Sequence, residues 1–284
     1  MPSPNRVWMP LAVSLTSFAC GGPPRSVTAR TTAAAATPEP SRDFKEVSRS
    51  PHVRFGIPVD ADPSDDYLTD RGVYVASYNR NLSAPNWVAW RLTRDDLGTV
   101  GRGDDFRADD SLPSEFRRVR PSDYTASGYD KGHLCPSAHR TYDATANAAT
   151  FLMTNMMPQV HALNAGPWKA IESHERELVA VQGMDVYVVA GGVFESNPKT
   201  IGHGVAVPTS SYRVTIVVQH GQGPSDVTDA TTVLAVEMPN DNSAKGHKWQ
   251  EFRVSVDRIE RDSGYDFLAA LPDGVEGRLE AQVP

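Results

Sequence analysis

The sequence predicts an α+β domain built on a mainly antiparallel central sheet flanked by helices, and three observations carry that prediction. Short β-rich runs recur between residues 72 and 236. Helical periodicity is confined to a few segments. The two kinds of element do not alternate strictly, as βαβ units would require. Residues 72–77 (Gly-Val-Tyr-Val-Ala-Ser) set Tyr74 and Ala76 on one face, and residues 87–92 do the same with Trp87, Ala89 and Arg91, the period of two of a half-buried strand. Residues 186–190, 212–218 and 231–236 continue the series in Val, Ile, Thr and Tyr, which suit a pleated surface. A helix is predicted over 167–179. Pro167 fits its first turn, Trp168, Ile171 and Leu178 recur on one face, and Gly183 follows its end. A second helix, over 256–262, is stopped by Gly264.

With 284 residues and 39% apolar side chains, the chain can bury a sizeable core. Its formal charge of −7 gives no global support for binding a polyanion. Basic residues are nevertheless dense in one stretch, with Arg117, Arg118 and Arg120 ahead of Lys131 and Arg140. At the N-terminus, Arg6 precedes a largely apolar run over 7–18 and then Ala19-Cys20-Gly21-Gly22. That pattern predicts a signal peptide over 1–20, too short to span a bilayer. A cysteine at the break point is similar to a bacterial lipoprotein signal, although Ser17 stands where leucine is usual. An exported protein, held at a membrane by a lipid on Cys20, is therefore expected. That would leave Cys135 without an intramolecular partner. Residues 21–50 are rich in Pro, Ala, Thr and Ser and lack apolar periodicity, so they read as a tether. Residues 51–284 read as one globular domain.

Chemistry concentrates in three neighbouring segments: Tyr129-Asp130-Lys131-Gly132-His133-Leu134-Cys135-Pro136, Thr154-Asn155-Met156-Met157-Pro158-Gln159, and Leu163-Asn164-Ala165-Gly166-Pro167-Trp168. Hydrolysis of a phosphodiester needs a base for water, a cation for the phosphate oxygens and groups that position both. His133 offers the base, the Asn164 amide oxygen a ligand for a hard cation, and Lys131 a charge for the phosphate. Glu172 and Arg176 lie four apart on the predicted helix and share a face. His133, Cys135 and His139 carry a His-x-Cys-x3-His spacing compatible with zinc, but no fourth ligand is apparent and Pro136 breaks the geometry. A hydrolase using Cys135 or a serine as nucleophile lacks a Gly-x-Ser-x-Gly elbow.

The order of these segments resembles the DNA/RNA non-specific endonuclease family, and further landmarks extend the likeness across roughly residues 74–270. They include Asn86-Trp87, Phe106, Asp109, Asp123-Tyr124, Ser127-Gly128-Tyr129, Ala206-Val207-Pro208-Thr209 and Met238-Pro239-Asn240. The resemblance implies a ββα-metal fold and a Mg²⁺-dependent enzyme, with Mn²⁺ able to substitute, that cuts DNA and RNA. It implies His133 as general base, Asn164 as metal ligand, Asn155 as support for the site, Glu172 in the water shell of the metal and Arg176 on the phosphate or leaving-group side. Lys131 is expected at the substrate, together with an upstream arginine that is Arg102 or Arg107. Two departures stand out: Lys131 replaces the arginine usual in the family, losing its bidentate fork, and His139 stands where aspartate is common. A catalytically weakened, nuclease-fold lipoprotein that only binds is the alternative these departures raise.

Overall fold

Ten strands form in the computed structural model, which describes residues 44–283: β1 Tyr67–Asp70, β2 Val75–Asn79, β3 Ala84–Leu92, β4 Asp130–His133, β5 Met156–Gln159, β6 Met184–Val193, β7 Thr200–Ile201, β8 Val205–Ala206, β9 Ser210–Gln219 and β10 Thr232–Pro239. The signal peptide, Cys20 and residues 21–43 of the expected tether lie outside the described residues. The tether reading fails for residues 44–50. A short helix, Phe44–Val47, begins there, and Val47 is fully buried in the core. One well-placed apolar side chain anchors a segment whose composition is polar.

Six strands make the central sheet in the order β1-β2-β3-β6-β9-β10, every neighbouring pair antiparallel. The period of two sorts its side chains cleanly. Val88, Trp90 and Leu92 of β3 and Val186, Val188 and Ala190 of β6 join one core. Trp87, Ala89, Tyr187, Val214, Ile216 and Val218 join the other. Both faces are covered, so the strands are apolar almost throughout. One face carries the helix Lys169–Ala180, through Trp168, Ile171, Leu178 and Val179. The other carries residues 47–57 and the helices Val256–Ser263 and Asp273–Glu280.

The helix start differs from the prediction. Asn164–Trp168 forms a single wide turn in which Gly166 leaves helical geometry (φ −100°, ψ −117°), and the regular helix begins only at Lys169. Proline at 167 cannot donate a backbone hydrogen bond and disfavours helical backbone at the residue before it. The strand read from residue 72 begins at Val75 instead, because Gly72 turns the chain with φ of +72°. A separate hairpin, β4 with β5, then the wide turn and the long helix, forms a ββα unit packed on the sheet.

Candidate active site

His133 ends β4, opposite Met156 of β5, and the chain beyond it is fixed from two sides. Asn155 is completely buried. Its Oδ1 accepts from Cys135 N at 2.9 Å, and its Nδ2 donates to the carbonyls of Cys135 and Thr150, each at 2.8 Å. Asn155 therefore positions the segment that carries His133 and does not itself reach the cavity. From the other side, Trp168 Nε1 donates to the His133 carbonyl at 3.0 Å, tying the helix start to the strand end. Gly132 has a packing reason: a Cβ there would meet Gln159 Oε1 at 2.1 Å.

A cavity of about 430 Å³ opens over this junction, lined by Arg102, Lys131, His133, Asn164, Glu172 and Arg176 among others. Five of these were expected from the motifs outright, and of the two upstream arginines Arg102 is the one that lines the cavity. Arg107 does not line it. Arg107 Nη1 is held by Asp105 Oδ2 and by the Ala148 carbonyl, each at 2.8 Å.

The His133 ring packs edge-on against Phe151, with centroids 4.9 Å apart, and lies 5.5 Å from Phe106. Its Nε2 is buried without a hydrogen-bond partner. Burial, with a further push from the Arg102 cation, lowers its pKa to about 3. The imidazole is thus neutral near pH 7, and the same burial that keeps it neutral weakens it as a base. Across the cavity, Asn164 Nδ2 donates to Asp130 Oδ2 at 3.0 Å. That carboxylate also accepts from His161 Nδ1 at 2.8 Å. A carboxylate only accepts, so the contact fixes the amide orientation and leaves the Asn164 oxygen free of Asp130. Lys131 Nζ stands 4.7 Å above the Phe106 ring.

Glu172 and Arg176 share the cavity face, yet they do not pair through their charges. Arg176 donates to the Glu172 backbone carbonyl at 3.2 Å and to Ser173 Oγ at 3.0 Å. The charge partner of Glu172 is Arg213 Nη2, at 3.5 Å. Burial pushes the Glu172 carboxyl up to about 7, against the pull of Arg213 and with a further push from Glu175.

Arg213 and Glu175 went unread in the sequence. Both are fully buried, and Arg213 Nη1 reaches Glu175 Oε2 at 2.7 Å. Thr215 Oγ1 donates to the other oxygen of Glu175 at 2.7 Å, Arg213 Nη2 donates to the Leu134 carbonyl at 3.2 Å, and its guanidinium stacks 4.4 Å from the Trp168 ring. A partial signal was there: Arg213 is a charged residue within a strand whose Tyr212, Val214, Ile216, Val217 and Val218 are apolar. His139 joins this network. Trp90 Nε1 donates to its Nδ1 at 3.1 Å, so its Nε2–H faces the Glu172 carbonyl at 3.1 Å. With both nitrogens engaged and burial holding it far below its usual pKa, His139 is a structural bridge, and the His133/Cys135/His139 zinc reading has lost a ligand.

A family model described as DNA/RNA non-specific endonuclease matches residues 51–274. A nuclease of Nostoc sp. is 42% identical over 241 residues, covering 83% of this chain and 87% of that protein. Human mitochondrial endonuclease G is 32% identical over 228 residues, covering 76% and 72%. A crystal structure of the EndoG/EndoGI complex superimposes with a TM-score of 0.66 at 27% identity, over 79% of this chain and 92% of that one.

Proposed function

This chain belongs to the DNA/RNA non-specific endonuclease family, a family of nucleic-acid-hydrolysing enzymes, and from that membership we propose a Mg²⁺-dependent endonuclease that cuts DNA and RNA alike, with His133 as general base and Asn164 as the protein's metal ligand. One observation carries the proposal: Lys131, His133, Asn164, Glu172 and Arg176, drawn from a strand, a turn and a helix, converge on a single cavity. The residues present fit a hard cation. Asn164 supplies an amide oxygen whose orientation Asp130 fixes, and Glu172 supplies a carboxyl for the cation's water shell. Mg²⁺ keeps several waters and needs few protein oxygens. When bound, it stabilises charge on the phosphoryl oxygens and the leaving 3′ oxygen.

The chain's own residues do the rest. Arg102 and Lys131 draw the phosphodiester into the cavity. Neutral His133 takes the proton of the attacking water, whose in-line attack leaves 5′-phosphate ends. Arg176 stands on the phosphate or leaving-group side. Contacts to phosphate and sugar rather than base edges make cutting indifferent to sequence. The binding-only alternative finds no support, because the cavity keeps the whole set and the relatives are named nucleases.

Plasmid nicking with and without chelator tests the proposal. Activity should vanish with EDTA and return with Mg²⁺ or Mn²⁺, and Asn164→Ala should need far more metal or stay inactive. Full activity in EDTA, or a requirement for zinc, would refute the metal assignment. The lysine departure gives a separate test. Lys131→Arg should keep or raise kcat/KM, since a guanidinium makes two parallel bonds to phosphate. Lys131→Ala should lose activity and lower the salt slope of binding by about one. An alanine variant with unchanged kinetics would withdraw Lys131 from the phosphate.

A further inference from the structure

A second cavity, also of about 430 Å³, is lined by Arg117, Arg118, Arg120, Ser122, Asp123 and His203, and the catalytic reading uses none of them. Arg118 is committed to the framework, donating to the carbonyls of Leu112, Pro113 and Phe116. Arg117 and Arg120 are exposed, and no acidic side chain among the described residues forms an ion pair with either. The one carboxylate at the cavity is buried and already engaged. Asp123 Oδ2 accepts from the Arg120 backbone N at 2.8 Å, and Oδ1 accepts from His203 Nδ1 at 2.6 Å. That bond leaves His203 Nε2 on a side chain that is 86% exposed.

The turn between β7 and β8 is shaped for this arrangement. Gly202 has φ of +50°, and a Cβ there would lie 2.5 Å from the Asp123 side chain. Only glycine lets the turn press onto Asp123 and deliver His203 to its carboxylate.

The two cavities share one foundation. A single apolar cluster contains Val119, Tyr124, Ile201 and Val205, with Phe106 and Tyr129 packed against it. Lys131, at the catalytic cavity, sits over Phe106. Lys199, just before β7, sits 5.0 Å over the Tyr129 ring. Val119 and Tyr124 lie within the stretch that carries Arg117, Arg120 and Asp123, and Ile201 and Val205 flank His203. Cations mounted on aromatic rings, leading to two unpaired guanidinium groups, suit a polyanionic strand. In a chain of net charge −7, this concentration of positive charge is local.

We propose that Arg117, Arg120 and His203 form a remote phosphate subsite, which grips the backbone of the nucleic acid whose scissile phosphate occupies the catalytic cavity. The inference rests on the nuclease reading above. Guanidinium forks bind phosphate oxygens bidentately, and backbone contacts carry no sequence preference.

The test compares wild type with the Arg117→Glu/Arg120→Glu double variant in two assays. The first is binding of a fluorescent 30-base-pair duplex in EDTA across a salt series, which needs no catalysis. The second is Mg²⁺-supported hydrolysis of bis(p-nitrophenyl) phosphate, too small to span both cavities. The variant should bind the duplex about 10–100-fold more weakly, with the salt slope reduced by roughly two, and should hydrolyse the small diester at the wild-type rate. Unchanged duplex affinity and slope would overturn the subsite. Equal loss in both assays would overturn it too, by assigning the arginines to the catalytic cavity. A wild type that binds duplex but hydrolyses neither substrate would count against the nuclease reading, and the binding arm would still decide the subsite.

Discussion

His133→Ala should cleave plasmid DNA about 10²–10⁴-fold more slowly than the wild-type chain, the range typical for loss of a general base, while still folding. The imidazole is held neutral by burial and by Arg102, so at pH 7 it is already in the form that accepts a proton. Among the described residues, no other histidine lines the catalytic cavity. Stability should change little because two effects oppose. Truncation gives up the edge-on contact with Phe151, but it also removes a ring nitrogen buried without a partner, and such a group is costly to bury. Initial rates on plasmid, with a thermal melt of the same preparation, read both. A variant that keeps wild-type turnover defeats the mechanism.

Arg213→Met should cost about 3–5 kcal/mol, because it strands the Glu175 carboxylate in the core without its cation. Glu175 would retain Thr215 and, at 3.9 Å, the neutral His139 Nε2, and Glu172 would lose the positive charge that favours its ionised form. The double variant Arg213→Met/Glu175→Leu should recover most of that loss, since an apolar pair of similar volume removes both charges. Urea denaturation of the two single variants and the double completes the cycle. A loss below about 1 kcal/mol for Arg213→Met, or a double variant no better than the singles, would show that the pair is not the buried bridge described here.

The strands were legible as runs rich in Val, Ile, Thr and Tyr, although burial on both faces replaces the alternation of a half-buried strand with near-continuous apolar sequence. The long helix was legible because Trp168, Ile171 and Leu178 mark the side that meets the sheet. Composition misled at residues 44–50, where Val47 and Ser50 are buried. The candidate residues were legible through their order along the chain, and the cavity gathers Lys131, His133, Asn164, Glu172 and Arg176. Its underlayer was not. Arg213 and Glu175 are 38 residues apart, on a strand and a helix, and nothing local in either marks the other as its partner. Sequence also could not say that Arg102 lines the cavity while Arg107 is held by the Ala148 carbonyl, because those contacts are set by the tertiary fold. The wide turn at Asn164–Trp168 arises from the backbone of Gly166, a conformation that glycine permits without announcing it.

The central claim is that His133 accepts the proton of the attacking water, and chemical rescue of His133→Ala by added imidazole tests it most directly. With Mg²⁺ present, cleavage should recover in proportion to the unprotonated fraction of imidazole as pH is varied. Cleavage at the wild-type rate without imidazole, or a recovery that follows the protonated fraction instead, would contradict it.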